Sequence, residues 1–412
     1  MKNKIAIIGG GASGMIAAIV ASRNGAEVTI YERMNRVGRK ILATGNGRCN
    51  LTNINLKWND LQCVHGSDAE FAGCILKQFK VKETINFFET LGITPKIEED
   101  GKVFPMSGQA SSVLDVLRYE LEKLGVEVIC DTEIRKINNP EDKFIIVDNN
   151  GTEYTADKVI IATGGRSSPN LGSNGSGYKL AGQLGHGIIK PFPALVQLRL
   201  RAPFLKAIKG VKFDGVVSLN VDGNVFGEEK GEILFTDYGI SGPPILQLSR
   251  KAVKALENNQ QPIIKIDMFP DYDYKELLDL IGLRFSYQYD RPLDFSFIGL
   301  INKRLIRVVL KESDIYDINR TCSQVSNKEI EQITGLLKGW EFEVIGSQSW
   351  MHSQVTAGGV DSKDICPNTL ESKIVPNIYF AGELLDVDGD CGGFNLQWAW
   401  SSGYVAGTCA SR

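Results

Sequence analysis

The sequence is poor in histidine, with only His65, His186 and His352, and none of the three is spaced from a cysteine or another histidine as a metal site requires. Its eight cysteines, at 49, 63, 74, 130, 322, 366, 391 and 409, include no Cys-x-x-Cys pair. That argues against a zinc ribbon and a local redox dithiol, and suits a reducing compartment. No stretch reaches the roughly eighteen unbroken apolar residues of a membrane helix. The opening Met1-Lys2-Asn3-Lys4 leads into only Ile5 to Ile8 before glycines begin, too short for a signal peptide, so a cytoplasmic protein is expected. With 46 basic and 49 acidic residues the net charge is -3, which gives no basic footprint, and neither a nucleic acid nor a membrane is an expected partner. What the chain has in excess is glycine, 43 copies without a collagen period, as expected of tight turns and close approaches of backbone to a ligand. Its 412 residues exceed one ordinary core and predict two or three domains.

Ile5 to Ile8 is a buried-strand run, Ala12 to Asn24 a helix stopped by Gly25, and Ala26 to Tyr31 a second strand. This is half of a doubly wound parallel sheet with a right-handed crossover. Apolar residues at 113, 117, 121 and 124 predict another helix, halted by Gly125 and followed by a strand at Val126 to Cys130. Phe144 to Val147, the Asn149-Asn150-Gly151 turn and Tyr154 predict a hairpin feeding a buried strand at Val159 to Ile161. From Pro191 to Met268 the pattern is one of repeated short strands rather than alternating helices, with an Asp222-Gly223 hairpin turn. Residues 272–337 carry Leu and Ile at helical spacing, Glu341 to Ile345 is one more strand, and the glycine-rich style then returns. The domains expected are a discontinuous dinucleotide-binding domain at 1–190 and 346–412, a β-rich, barrel-like one at 191–271 and 338–345, and a helical insert at 272–337.

Gly9-Gly10-Gly11-Ala12-Ser13-Gly14 satisfies G-x-G-x-x-G between a strand and a helix. Gly9 permits the turn, Gly11 lets backbone approach a pyrophosphate, Gly14 lets helix meet sheet, and the helix N-terminus offers free N–H groups to the anion. Glu32 ends the second strand, where a carboxylate accepts from a ribose diol. The choice of FAD over NAD rests on the far end of the chain. A strand, Asn377 to Phe380, ends in Ala381-Gly382-Glu383, and Gly392-Gly393-Phe394-Asn395-Leu396-Gln397 opens an apolar helix through Trp398, Ala399, Ala406 and Ala410. FAD is long enough to need an acidic group at its ribityl chain, and a second helix N-terminus near Asn395 and Leu396 can face its pyrimidine end. The loop 36–50 holds four cations among glycines, of which Arg39, Lys40 and Arg48 are the leading pyrophosphate partners.

Gly38-Arg39-Lys40, Thr44-Gly45-Asn46-Gly47-Arg48-Cys49-Asn50, Phe235 to Pro243, Thr356-Ala357-Gly358-Gly359-Val360 and Gly392 to Ala399 occur in order. Through them the chain resembles, over nearly its whole length, the bacterial flavoprotein family of aminoacetone oxidase and 3-dehydro-bile-acid reductase. The resemblance implies an α/β, Rossmann-like FAD domain of the GR2 type built from both chain ends, with an inserted β-barrel-like domain and a small helical one, and non-covalent FAD. The expected cofactor contacts are Gly9, Gly11, Ala12, Ser13, Gly14, Glu32, Arg33, Arg39, Lys40, Thr44, Gly45, Gly47, Arg48, Cys49, Asn50, Ile134, Ala162, Thr163, Gly164, Gly359, Gly382, Glu383, Gly393, Asn395 and Leu396. Two positions depart from the family pattern: Asp237 stands where relatives carry His, and Ser176 where they carry Asp. The first departure puts in doubt any carry-over of that histidine's catalytic role to Asp237.

Flavin chemistry asks little of side chains beyond positioning, so the catalytic candidates are few. Asp237 and Tyr238 either face substrate as base and hydroxyl donor or fix the turn before Gly239. Cys49 is either a reactive or a buried structural thiol, and burial is the better reading. The three histidines read as surface or packing residues, and Trp398 and Trp400 as core. The function expected is oxidation or reduction of a small organic substrate by hydride transfer at FAD. No second G-x-G-x-x-G follows a strand, so NAD(P)H, if it is the donor, visits the same flavin. The alternatives are an amine oxidase releasing peroxide and, ranked lower, a flavin-dependent RNA-modifying protein, for which Lys206, Lys209 and Lys212 offer a local basic patch. A non-enzymatic flavin sensor ranks last.

Overall fold

The computed structural model describes residues 3–139 and 143–412; Met1, Lys2 and residues 140–142, which fall within the first expected domain, lie outside it. Two compact units result, one holding the chain up to Pro193 and again from Trp350 on, the other Ala194–Ser349.

The first unit is built on a five-stranded parallel sheet. Strand β1 (Lys4–Ile8) is apolar at four consecutive positions because both faces are covered, which is what a parallel sheet demands. Helix α1 (Ala12–Arg23) returns the chain to β2 (Glu27–Tyr31); helix α2 (Ala110–Lys123) leads to β3 (Glu127–Ile129). Strand β4 (Lys158–Ile161) and, more than two hundred residues later, β5 (Ile378–Phe380) complete the order β5-β4-β1-β2-β3. The predicted hairpin is present as Phe144–Asp148 and Glu153–Ala156, its turn fixed by Asp148 Oδ1, which accepts from the N–H groups of Asn150 and Thr152 at 2.8 and 2.9 Å.

Helix α3 (Phe394–Ala410) lies directly on α1. A Cβ at Gly403 would stand 2.4 Å from the Ser13 carbonyl oxygen, and one at Gly407 2.5 Å from that of Ala17, so these two glycines, one turn apart, let the helix backbones touch. Nine consecutive α1 residues, Ser13 to Ala21, are buried as a result.

The second unit contains a closed six-stranded barrel in the order Leu198–Leu200, Gly239–Ser241, Asn224–Phe235, Lys212–Val221, Pro262–Asp267, Trp340–Ser347. Asp222 and Gly223 both have positive φ, 49° and 83°, the conformation a tight two-residue hairpin requires. One expectation fails here. A fifteen-residue helix, Pro243–Glu257, interrupts the stretch read as strands, with Pro at its start and Ile245, Leu248, Ala252 and Val253 buried along one face. Proline at the first helical position and 3.6-residue spacing are its sequence signals, outweighed in the reading by the flanking β-rich segments. Between barrel strands five and six run helices Tyr274–Tyr287, Leu293–Ser296, Lys303–Glu312 and Asn327–Lys338, two of them opened by capping boxes, Asp273 with Glu276 and Ser326 with Glu329. No helix among the described residues is long and apolar enough to cross a membrane.

Candidate functional site

In the first unit the glycine turn after β1 opens into a surface cleft. Gly9 has φ 103°, and its Cβ would collide with the Ala162 carbonyl oxygen at 2.6 Å; one on Gly14 would come within 2.0 Å of the Gly9 oxygen. Gly11 differs: a Cβ there meets nothing within 4 Å, so its open side is space at the mouth of α1. Glu32 is buried, and its carboxylate accepts from the N–H groups of Gly10 and Met34, both at 2.8 Å. Burial raises its pKa against the opposing pull of those N–H groups. Arg33 donates from Nη1 to the Gly172 carbonyl at 3.1 Å, but its Nε is buried without a hydrogen-bond partner, with Glu133 3.9 Å away. A buried donor without an acceptor, a carboxylate beside the glycine turn and open space at a helix N-terminus form a donor and acceptor set able to hold an adenine dinucleotide.

The cleft brings together Gly9, Gly11, Glu32, Arg33, Arg39, Lys40, Ile134, Ala162 and Thr163 of the expected contacts. It also places Tyr31, Arg36, Thr132, Glu133, Gly172, Ser173 and Ser176 on the wall, which the sequence reading did not count as contacts. The glycine-rich run Leu171 to Ser176 is the visible signal for Gly172, Ser173 and Ser176.

From the cleft, Lys40 reaches Glu383, Nζ to Oε2 2.8 Å, both side chains about three-quarters covered. The same carboxylate accepts from the Thr356 N–H through Oε1 at 2.8 Å. Thr356 Oγ1 in turn accepts from the N–H groups of Arg166 and Ser167, at 2.8 and 3.0 Å. Thr356 Oγ1 also shares a hydrogen bond with Ser167 Oγ (3.0 Å), Ser167 Oγ accepts from Ser353 Oγ (2.8 Å), and the Trp350 carbonyl lies 3.2 Å from the same Ser353 hydroxyl. This buried chain ties the loop after β4 to the segment carrying Gly359.

At the other end, the loop Thr44–Asn50 and the segment before α3 converge. A Cβ at Gly393 would lie 2.6 Å from the Thr52 oxygen and 2.9 Å from Asn50 Oδ1. The Asn395 side chain is committed to its own loop, accepting from the Gly389 N–H at 2.8 Å and donating to the carbonyls of Gly389 at 2.7 Å and Asp390 at 3.2 Å. That leaves the backbone N–H groups of the first α3 turn as the part of Asn395 and Leu396 available to a ligand. Gly382 packs against Ser13: a Cβ on Gly382 would meet Ser13 Oγ at 2.4 Å, the Gly382 N–H donates to Ser402 Oγ at 2.9 Å, and its carbonyl accepts from the Trp398 indole at 3.0 Å. Gln397, fully buried, accepts from Thr52 Oγ1 (2.6 Å) and donates to the Phe79 carbonyl (3.2 Å), Thr84 Oγ1 (2.8 Å) and Ser401 Oγ (2.8 Å). The Trp400 indole donates to the Leu51 carbonyl at 2.9 Å.

Some expected contacts are engaged elsewhere. Arg48 is an exposed guanidinium paired with Glu98 at 3.0 Å and stacked 3.9 Å over the Phe104 ring. Cys49 is fully buried, and burial pushes its thiol up to about 12. It is expected to resist iodoacetamide in the folded protein at pH 8 and to react on unfolding, which peptide mass spectrometry checks. In the second unit Asp237 pairs with Lys209 at 2.7 Å, and that hydrogen bond holds its carboxyl below the usual range, which makes it a poor base. The backbone around Tyr238 serves the turn, its carbonyl accepting from the Leu200 N–H at 3.1 Å. His186 is buried, its ring nitrogens 3.1 Å from the Ala181 carbonyl and 2.7 Å from Ser372 Oγ. His352 is exposed, whereas His65 Nε2 lies 2.6 Å from Asp390 Oδ1.

The family model described as HI0933-like protein Rossmann domain matches residues 3–409. The chain is 40% identical, over all of its length and 99% of the relative's, to the 3-dehydro-bile acid delta(4,6)-reductase of Clostridium scindens. It is 30% identical, over 98% of each chain, to the ribosomal RNA dihydrouridine synthase of Haemophilus influenzae. Among solved structures, the 3-ketosteroid delta1-dehydrogenase of Sterolibacterium denitrificans superposes with a TM-score of 0.53 at 11% identity, covering all of both chains, a likeness of fold alone.

Proposed function

This chain belongs to the HI0933-like Rossmann-domain family, and from that premise we propose that it is a FAD-dependent oxidoreductase. Its reaction, in this reading, adds two hydrogens across a conjugated carbon–carbon double bond of a small organic substrate, with NAD(P)H as electron donor. The observation that carries the cofactor assignment is the convergence, within one unit, of two helix N-termini from opposite ends of the chain, one beside the Glu32 cleft and one at Gly393. The relatives support the reaction type: a delta(4,6)-reductase and a dihydrouridine synthase both saturate ring double bonds, by the meaning of their names.

Bound FAD supplies the hydride chemistry. The protein's part is to hold and bias it. The N–H groups of the α1 N-terminus, with Gly9 and Gly11 leaving room, would donate to the pyrophosphate, Glu32 would accept from the ribose, and Lys40 with Glu383 would hold the segment between the two ends. The free N–H groups of the first α3 turn would favour negative charge on a flavin ring held there.

A second reading, action on RNA, is favoured by the Haemophilus relative. Against it stand the net charge of -3 and the pairing of Lys209 with Asp237 and of Lys212 with Glu232 at 2.9 Å, which divides the one basic patch the sequence offered. The purified protein is expected to show flavin absorption, to bleach anaerobically with NADH or NADPH, and to recover its colour with a 3-oxo-4,6-diene bile acid. Bleaching by aminoacetone but by neither nicotinamide would instead establish the oxidase alternative. Recovery with uridine-containing ribosomal RNA and not with the steroid would favour the RNA reading.

A further inference from the structure

We propose that His65 is the general acid that supplies the proton in this reduction, an inference that rests on the double-bond-reducing reading above. The balance of the reaction requires such a group. A hydride from the reduced flavin forms a C–H bond at one carbon, the π bond breaks, and its electron pair takes a proton at the neighbouring carbon. The flavin supplies the two electrons and the first hydrogen; a side chain within reach of the substrate supplies the second.

His65 sits on the short strand Val64–Gly66, paired antiparallel with Val387–Gly389 and directly opposite Asp388. Its Nε2 lies 2.6 Å from Asp390 Oδ1, with 23% and 24% of the two side chains accessible. Asp390 is three residues before Gly393, which caps α3. The Asp390 carbonyl is held by Asn395 Nδ2 at 3.2 Å and its N–H by the Cys63 carbonyl at 2.9 Å, so the dyad is fixed to the loop that presents the α3 N-terminus.

The tautomer logic assigns the direction of transfer. With Nε2 against a carboxylate, the neutral ring keeps its proton there, and Nδ1 is the nitrogen that gives and regains one. Nδ1 has no hydrogen-bond partner among the described residues. The other candidate acids of the unit are weaker. Burial, with Asp390 adding to it, pushes the Cys63 thiol up to about 11. Burial, then Glu383 and Asp386, raises Tyr178, whose buried hydroxyl also lacks a partner. Both ring nitrogens of His186 are engaged inside the core. A carboxylate-paired, part-accessible imidazole with Nδ1 unengaged stands on the strand joined to the loop that leads into the α3 N-terminus.

The test uses the holoenzyme reduced anaerobically with dithionite and mixed with a 3-oxo-4,6-diene bile acid, following the return of oxidised flavin absorbance in a single turnover. His65→Gln is expected to slow the return about 100-fold, as loss of a general acid does. Asp390→Asn should slow it less, and binding of the steroid, read from its perturbation of the oxidised flavin spectrum, should remain. His65→Ala should regain part of the rate with added imidazole, which a structural histidine would not. Wild-type reoxidation by the dienone with His65→Gln at the same rate overturns the assignment and leaves the reaction standing. Loss of the rate in Tyr178→Phe with His65→Gln unaffected would move the proton to the tyrosine. A wild-type enzyme that the dienone cannot reoxidise overturns the reaction itself, and this role with it.

Discussion

Replacing Gly11 by valine is expected to yield a protein that melts at the temperature of the wild-type apoprotein and purifies without flavin. Gly11 has φ -79°, which any residue adopts, and its Cβ would meet nothing within 4 Å, so folding does not oppose the change. The added methyl groups occupy the space a pyrophosphate needs beside the α1 N–H groups, and a loss of two or more orders of magnitude in FAD affinity, about 3 kcal/mol, is expected. Gly14→Ala makes the contrast. Its Cβ would lie 2.0 Å from the Gly9 oxygen, so turn and helix must part, and stability falls by about 1–3 kcal/mol along with flavin binding. Flavin titration and thermal melts of the two apoproteins check both; a yellow Gly11→Val protein with wild-type affinity would mean the dinucleotide takes another path.

The second large effect is expected at Gln397. Leucine fills nearly the same volume, yet it removes the acceptor of Thr52 Oγ1 and the amide donors to the Phe79 carbonyl, Thr84 Oγ1 and Ser401 Oγ in a fully buried site. Each buried polar group left without a partner costs about 1–3 kcal/mol, so Gln397→Leu should destabilise the protein by about 3 kcal/mol or more. Chemical denaturation measures this. Gln397→Glu keeps the acceptor but sets a carboxylate against a carbonyl, and is expected to do no better. An unchanged midpoint for Gln397→Leu would show that the hub is passive.

Most of the first unit is legible in the sequence because its signals are local. Ile5 to Ile8, the glycine turn, a helix from Ala12 to Asn24 and Glu32 are spelled out within thirty residues; the structure forms the strand, ends the helix at Arg23 and sets Glu32 in the cleft wall. The helix Pro243–Glu257 was hidden because neighbouring strands dominated its window, although Pro243 marked its start. The candidate site divides the same way. Backbone-determined positions, Gly9, Gly11 and Gly393, could be named from spacing, whereas the partner of a long side chain could not. Arg48 sits in the basic loop yet turns to Glu98, which lies fifty residues away and carried no signal. Nor did spacing announce His65: its partner Asp390 lies 325 positions on and reaches it only because two three-residue strands pair.

The contact of α3 with α1 also constrains biosynthesis. A growing polypeptide emerging from the ribosome holds the first half of the nucleotide fold early, but β5 and α3 follow only after Ala194–Ser349 has been made. At about 5–20 residues per second that interval is on the order of ten seconds, during which the α1 surface that Gly403 and Gly407 will cover is exposed to water and to other nascent chains. Loading of the proposed FAD would therefore follow translation, and chaperone dependence should track this open interval rather than the barrel.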